Sequence, residues 1–564
     1  MSCGWAGRVG RVGRVDLASG RCWIESLPDD LRSGWLGGRG LGVALLKEFA
    51  GLDPCADQLP LVMAGGPLCG SDTPMSSRCV LTGRSPLTGT IFSCSSGGPF
   101  AWQLRQAGLD ALVITGSSAT PVQLRVMPDR IDLLAADDLW GLPTDTVFAR
   151  LTDAGAVAAI GPAGENGVLY ASLETAAGEP FGRGGLGAVV GQRRLKAITI
   201  QGDEGKVTIA DQTAFAAARQ DMQRLLLASP FIYGPFGIHQ YGTVALVDPL
   251  AQRGMLPARN FTAVLPAAGL NAAALQHAYH PSGYGCYDCP VACKRLTEDG
   301  QPLPDHDDLL ALAGCCQQPQ LDALVAAGRC CAQLGLDPVS AAGSLAAWSE
   351  LTASPIVCGQ MPALLSRIAR REAEGELLAL GAERLACALG QPEAAMTVKG
   401  LELPPYDPRA ATGLALAYAV APHGGTHLDA WSLSSEVLRK PVPTDPACFD
   451  GKARVIALAE AANAAMDSLV LCRFAACAVE LEEAAALLTA VSGERHTAGD
   501  LLTIGERIIA AERSFNQANG FSVADDRLPE RFFSHATGMT KPLDREHFAE
   551  ELQRYQRIRS GVQA

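Results

Sequence analysis

The texture of the chain changes once, near Asp211, and that change narrows the folds open to it. Before it, short apolar runs such as Leu61-Val62-Met63-Ala64-Gly65, Ala111-Leu112-Val113-Ile114-Thr115 and Ala197-Ile198-Thr199-Ile200 stop at glycines or polar turns, the mark of buried strands. After it, Ala, Leu and Gln recur at helical spacing over 321–335, 364–388, 453–469 and 500–517. A length of 564 residues allows about three domains at roughly 100–200 residues each. The expected architecture is α+β: a strand-rich N-terminal domain over 1–204, then two mainly helical domains over 205–400 and 401–564. The stretch Gly400 to Pro408, broken by Pro404, Pro405 and Pro408, marks the second boundary. The unit repeated through Gly7-Arg8-Val9-Gly10-Arg11-Val12-Gly13-Arg14-Val15 is too short for a repeat architecture and reads as an N-terminal strand. Alternating acidic and basic residues over the last thirty positions suggest a solvated helical tail.

Charge and cysteine content limit the chemistry. A net charge of −13, with 46 basic against 59 acidic residues, argues against a nucleic-acid binder, which needs basic surface to displace counterions from phosphates. No apolar run approaches the roughly 18 residues that span a bilayer, and Met1-Ser2-Cys3-Gly4-Trp5-Ala6-Gly7-Arg8 lacks the apolar core of a secretory signal. The chain therefore reads as cytoplasmic and free of membrane. Its 18 cysteines are then reduced, most of them small buried apolar residues.

Three of them stand apart. Gly285-Cys286-Tyr287-Asp288-Cys289-Pro290-Val291-Ala292-Cys293 sets thiols at C-x2-C-x3-C, close enough to converge on one metal centre. An iron–sulfur cube needs four such ligands and accepts the fourth from far along the chain. Zinc held by the three thiols and His277 or His280 is the rival, and three buried thiols are the bland alternative. Four glycine-rich turns crowd the first domain: Gly37-Gly38-Arg39-Gly40-Leu41-Gly42, Ser95-Ser96-Gly97-Gly98, Gly161-Pro162-Ala163-Gly164-Glu165-Asn166 and Gly182-Arg183-Gly184-Gly185-Leu186-Gly187. None has the context of a dinucleotide fingerprint or a Walker lysine. Together, two of them carrying Arg, they suit a large anionic cofactor.

Taken in order, these segments resemble the tungsten-containing aldehyde ferredoxin oxidoreductase family. Arg78, Ser85-Pro86-Leu87-Thr88-Gly89, Glu402-Leu403-Pro404-Pro405-Tyr406-Asp407-Pro408-Arg409, Gly424-Gly425-Thr426-His427, Asp467-Ser468-Leu469-Val470-Leu471-Cys472 and Ile504-Gly505-Glu506-Arg507-Ile508 extend the resemblance over nearly the whole chain. It implies an N-terminal domain of two β-sheets holding a tungsten (or molybdenum) bis-pterin, capped by two helical domains, with magnesium bridging the pterin phosphates as a further candidate. It also implies a [4Fe–4S] cluster on Cys286, Cys289, Cys293 and Cys472. Arg78, Ser95, Ser96, Gly97, Arg183, Leu336, Asp337, Asp467 and Leu471 would contact the pterins, whose edges present paired N–H donors that suit a carboxylate. An aldehyde would be oxidised to a carboxylic acid, with electrons passing to ferredoxin or a small iron–sulfur subunit.

The catalytic assignments rest on the same resemblance. His427 matches a histidine that would hydrogen-bond the carbonyl oxygen; the glycines between His423 and His427 disfavour a helix that would align the two as a metal pair. Asp305, His306, Asp307 and Asp308 open an expected helix, where acids also suit the dipole. Asp307 matches a catalytic glutamate and is one methylene shorter, and His306 could share the role of base. The chain departs from the family elsewhere. Ala332 takes the place of the leading carboxylate of the first pterin motif, Val470 that of a glycine in the second, and Ser95 that of an asparagine. Glu179, His423 and Asp429 replace basic residues, and the loss of positive charge should weaken phosphate binding. Ala326 and Arg329 stand where some relatives bind a metal between subunits, so a homodimer would form by packing alone. Reductive chemistry at a similar centre and a cluster-only scaffold are the alternatives in function.

Overall fold

A computed structural model describes residues 10–176, 178–203, 207–440 and 442–561. Part of the expected N-terminal strand (Gly7 to Val9) and the expected boundary between 204 and 205 lie outside those residues. Eleven strands build the N-terminal region: β1 Arg11–Asp16, β2 Arg21–Ser26, β3 Leu61–Ala64, β4 Cys79–Arg84, β5 Ile91–Ser96, β6 Ala111–Thr115, β7 Val122–Met127, β8 Arg130–Ala135, β9 Ala156–Ile160, β10 Leu173–Thr175 and β11 Leu195–Ile200. They form two sheets, β2-β1-β6-β3-β4-β5 and β10-β9-β11-β7-β8. The apolar runs read as strands are β3, β6 and β11. Their continuous burial follows from position: each lies inside its sheet, with a shared core of Val15, Met63, Leu112, Leu124, Ile160 and Ile198 between the two sheets. β4 and β5 pair in antiparallel register, Val80 opposite Ser95 and Cys79 opposite Ser96. The strand-end residues Arg78 and Gly97 thus meet at one end of this hairpin.

Beyond residue 207 the chain is mainly helical, and the expected segments 321–335, 453–469 and 500–517 appear as helices Leu321–Leu334, Lys452–Ser468 and Ala498–Ala518. The segment 364–388 does not stay whole. It breaks into Met361–Arg370, Gly375–Leu378 and Ala382–Ala388, because Arg371, Ala373 and Gly381 take left-handed backbone between them. The division expected between 400 and 401 falls at the turn of a small hairpin, Thr397–Val398 with Leu401–Glu402. The C-terminal tail is helical over Arg545–Arg559 and packed rather than solvated on all sides: Tyr555 and Arg559 both bond Glu460 of helix Lys452–Ser468, each at 2.6 Å.

Two glycine-rich turns receive their purpose here. A side chain on Gly38 would place its first carbon 2.2 Å from the Asp467 carbonyl oxygen, and one on Gly161 would fall 2.2 Å from that of Leu334. Each turn therefore lies directly against the C-terminus of a helix, Lys452–Ser468 in one case and Leu321–Leu334 in the other. These helix ends carry Asp467 and, just beyond, Asp337. The sheets thus present their loops to both acidic helix ends, and the site forms in that seam.

Candidate active site and cysteine centre

The cysteine loop hangs from a short hairpin, Ser282–Tyr284 with Lys294–Leu296, so Cys286, Cys289 and Cys293 share one tight turn. Cys472 arrives from the loop after helix Lys452–Ser468, its N–H donating to the Met75 carbonyl at 2.9 Å. The Cys286 sulfur accepts the Gly98 N–H and presses on Gly97, where a side-chain carbon would stand 2.3 Å away. Only glycine fits there, and the glycine places the cysteine loop against the Ser95–Gly97 loop. Arg78 donates to the Ser95 hydroxyl and carbonyl at 2.9 and 2.8 Å. Burial disfavours its charge, but the acidic groups around it, Cys472, Cys286, Glu179 and Cys293, act the other way and prevail. One arginine therefore faces cysteines from both segments.

Burial also pushes the thiols up, Cys286 to about 12 and Cys289 to about 11. Such groups become thiolates only beside added positive charge, which an iron–sulfur centre supplies. The four-thiol set fits that group. His277 and His280, the histidines of the zinc alternative, are both exposed.

The two helix ends that face the glycine turns are built alike. Leu336 N–H bonds the Cys331 carbonyl at 2.9 Å, and Leu471 N–H bonds the Met466 carbonyl at 3.1 Å, the same five-residue reach back. Asp337 accepts from Arg183 at 3.2 Å and caps helix Pro338–Thr352 through Val339 N–H at 3.1 Å. Asp467 accepts from Arg473 at 2.7 and 2.8 Å and from Arg39 at 3.3 Å. Each end thus offers a carboxylate with an arginine beside it, a donor and acceptor set that suits a pterin ring and its phosphate. Ala332, where the resemblance leads one to expect a carboxylate, is exposed, and its carbonyl accepts from Thr144 at 2.8 Å.

Glu179, His423 and Asp429 each sit in a network of charges. Glu179 pairs with Lys294 at 3.2 Å, and Lys294 also bonds Asp305. Asp429 accepts from His423 at 2.9 Å and pairs with Arg39 at 3.0 Å, while Arg39 bonds Glu512 at 2.7 and 2.8 Å. Burial works against a charge on His423, yet Asp429 and Glu512 overcome it and raise its pKa to about 9. His423 is thus a cation whose charge is spent on neighbouring acids.

The expected catalytic residues converge at the start of helix His306–Cys315, with Asp305 as its N-cap residue. His306 Nε2 lies 2.6 Å from the Tyr406 hydroxyl, which donates to Asp307 Oδ1. Asp307 Oδ2 faces His427 Nε2 at 3.7 Å, and the Tyr406 and His427 rings lie 4.7 Å apart. Burial drives His427 down to about 4, with Asp307 compensating only in part, so the ring is neutral at physiological pH. The Nδ1 atoms of His306 and His427 are buried without a hydrogen-bond partner. Between His423 and His427 the chain is not helical, and the two rings serve separate networks. Tyr406, which no sequence pattern assigns a role, completes this network. Its signal was the proline-flanked segment Pro404-Pro405-Tyr406-Asp407-Pro408, which fixes the backbone on either side.

Comparison with known proteins gives a consistent picture. Residues 12–202 match the model of the aldehyde ferredoxin oxidoreductase N-terminal domain, and residues 217–560 match that of aldehyde ferredoxin oxidoreductase domains 2 and 3. The tungsten-containing aldehyde ferredoxin oxidoreductase of Pyrococcus furiosus is 36% identical over 99% of this chain and 97% of its own. That of Thermococcus kodakarensis is 34% identical at the same coverage, 99% and 97%. Among solved structures, the active site complex BamBC of benzoyl coenzyme A reductase superposes with a TM-score of 0.84 over 99% of this chain and 95% of that one, at 20% identity, a likeness of fold.

Proposed function

The chain belongs to the tungsten-containing aldehyde ferredoxin oxidoreductase family and is an oxidoreductase, and on that premise we propose that it oxidises an aldehyde to a carboxylic acid. The balance is aldehyde plus water giving acid, two protons and two electrons. Tungsten or molybdenum on a bis-pterin, with magnesium as a further candidate ion, would supply the Lewis acid and the two-electron acceptor. Arg78, Ser95, Ser96, Gly97, Arg183, Leu336, Asp337, Asp467 and Leu471 would hold it. Cys286, Cys289, Cys293 and Cys472 would hold a [4Fe–4S] cluster that passes electrons to ferredoxin or a small iron–sulfur subunit. The short segment from Asp467 to Cys472 would give that transfer a covalent path.

The observation that carries this reading is the convergence of His427, Asp307, His306 and Tyr406 at one helix start. A neutral imidazole at His427 can offer an N–H to the carbonyl oxygen without bringing a charge into the site. Asp307, ionised beside it, accepts the proton released as water adds to the carbonyl. A protein with this role works in the cytoplasm, as a monomer or as a homodimer formed by packing. The test is reduction of a viologen dye by anaerobically purified protein across a set of aldehydes. Wild type should reduce two equivalents of one-electron dye per carboxylate formed. His427→Ala should keep its iron and tungsten and turn over about 100- to 1,000-fold more slowly, the usual cost of losing a donor to developing charge. A fully metallated wild type inert to every aldehyde, or a His427→Ala variant at full rate, would overturn the reading.

A further inference from the structure

Asp307 is the shorter of the two acids that could fill its position, and the structure shows how that carboxylate is placed. Its side chain is 27% exposed, so it is not sealed into core. The two oxygens have different surroundings. Oδ1 receives the Tyr406 O–H and lies 3.3 Å from His306 Nε2; Oδ2 faces His427 at 3.7 Å. The hydroxyl hydrogen of Tyr406 is used on Asp307, so its oxygen is left to accept, and the 2.6 Å contact with His306 Nε2 requires a proton on that nitrogen. The order of donation is therefore His306 to Tyr406 to Asp307.

Tyr406 is built to stay in place. It is 1% exposed, its N–H reaches back to the Pro404 carbonyl at 2.7 Å, and its own carbonyl accepts from Tyr418 at 3.3 Å. Asp407, next in the chain, is fixed by its N–H on the Met255 carbonyl at 2.8 Å and by Arg409 at 2.6 Å. We propose that Tyr406 is a positioning residue that, with His306 behind it, occupies Oδ1 of Asp307 and leaves Oδ2, the oxygen facing His427, as the atom that takes the substrate's proton. His306 then acts through Tyr406 rather than as a second base. This rests on the reading of Asp307 as the base.

The electrostatics agree with the geometry. Burial alone would raise the Asp307 carboxyl; His306, His427, the Tyr406 hydroxyl and Arg183 outweigh it and leave the group below the ordinary carboxylate range. Asp308 and Tyr418 are the other titratable groups within reach of that charge. A hydroxyl that merely filled the core would have no part in this balance.

The experiment is an infrared difference titration of the anaerobic holoenzyme, with Asp307→Asn subtracted to isolate the Asp307 carboxylate band, run beside the pH–rate profile. Tyr406→Phe keeps the ring and removes the O–H, so the Asp307 midpoint should move to higher pH, with the acid limb of turnover moving alongside it. His306→Phe should move it the same way, and His306→Gln, which keeps an N–H donor, should move it back toward wild type. Iron content and the melting curve of each variant show that the fold is retained. An unchanged midpoint in Tyr406→Phe would overturn the proposal. A midpoint that moves while the acid limb stays fixed would overturn Asp307 as base, and the assignment of Oδ2 with it. A wild type that oxidises no aldehyde would sink the proposed function, while the infrared comparison would still decide how Tyr406 places the carboxylate.

Discussion

His423 and His427 are four positions apart and almost equally buried, at 3% and 5% exposure, yet they are driven to opposite protonation states. Desolvation pushes both toward the neutral form. Around His423 the Asp429 and Glu512 carboxylates reverse that effect and raise the ring to about 9; around His427 the single Asp307 does not, since His306, Arg183 and Arg473 add positive charge, and the ring falls to about 4. The stability consequences have opposite signs. A histidine raised to about 9 contributes stability that is complete below its unfolded value near 6.5 and is lost as pH rises toward 9. A histidine lowered to about 4 contributes stability that is present above about 6.5 and is lost as pH falls toward 4. The melting temperature should therefore decline on both sides of pH 6.5. In His423→Gln the alkaline decline between about 6.5 and 9 should flatten, while the acid one remains. Melting curves across pH 4–9.5 check this, and an undiminished alkaline slope in the variant would remove His423 from the account.

The two acidic helix ends share a hydrogen-bond pattern but differ in the residue at the left-handed turn. Gly335 takes φ +72° where Leu321–Leu334 ends, as glycine does without strain. Val470 takes φ +59° after Lys452–Ser468, and for a β-branched side chain that backbone is unfavourable by about 1–2 kcal/mol. The valine persists because it is fully buried and packs on Gly38 and Gly66. Replacing it should therefore invert the usual ranking. In a helix interior glycine is about 1 kcal/mol worse than alanine. At 470, alanine retains the left-handed cost and regains roughly 0.8 kcal/mol from one buried methyl, so glycine should be at least as stable. Both variants lose packing and should melt below wild type, with Val470→Gly at or above Val470→Ala; a glycine variant melting clearly lower would show that the turn is unstrained. Elements were legible where local pattern and burial coincide. β3, β6 and β11 are interior strands and so mostly apolar, and the helix opening at His306 announced itself by its acids. In 364–388 only Gly375 and Gly381 hint at the break, since Arg371 and Ala373 take left-handed backbone without any turn signature.

At the scale of the whole molecule, the sheets contribute loops, the first helical region contributes Asp307 and the cysteine turn, and the last contributes His427, Asp467 and Cys472. The site exists only in the seam where all three meet. That explains which parts of it the sequence could disclose. The cysteine turn is local and its spacing spoke for itself. The link between His306 and Tyr406 spans 100 positions, and the salt bridge from Arg39 to Glu512 spans the sheets and the last helices, so neither leaves a local pattern. Only the collinear resemblance to a family links the distant partners, and it gives no role to Tyr406. We propose that this seam holds a metal-pterin and an iron–sulfur cluster. The most direct test is metal analysis of protein purified without oxygen. We predict about four irons per chain together with about one tungsten or molybdenum. Iron alone would mark a cluster-only scaffold and contradict the enzyme, and zinc without iron would contradict the cluster as well.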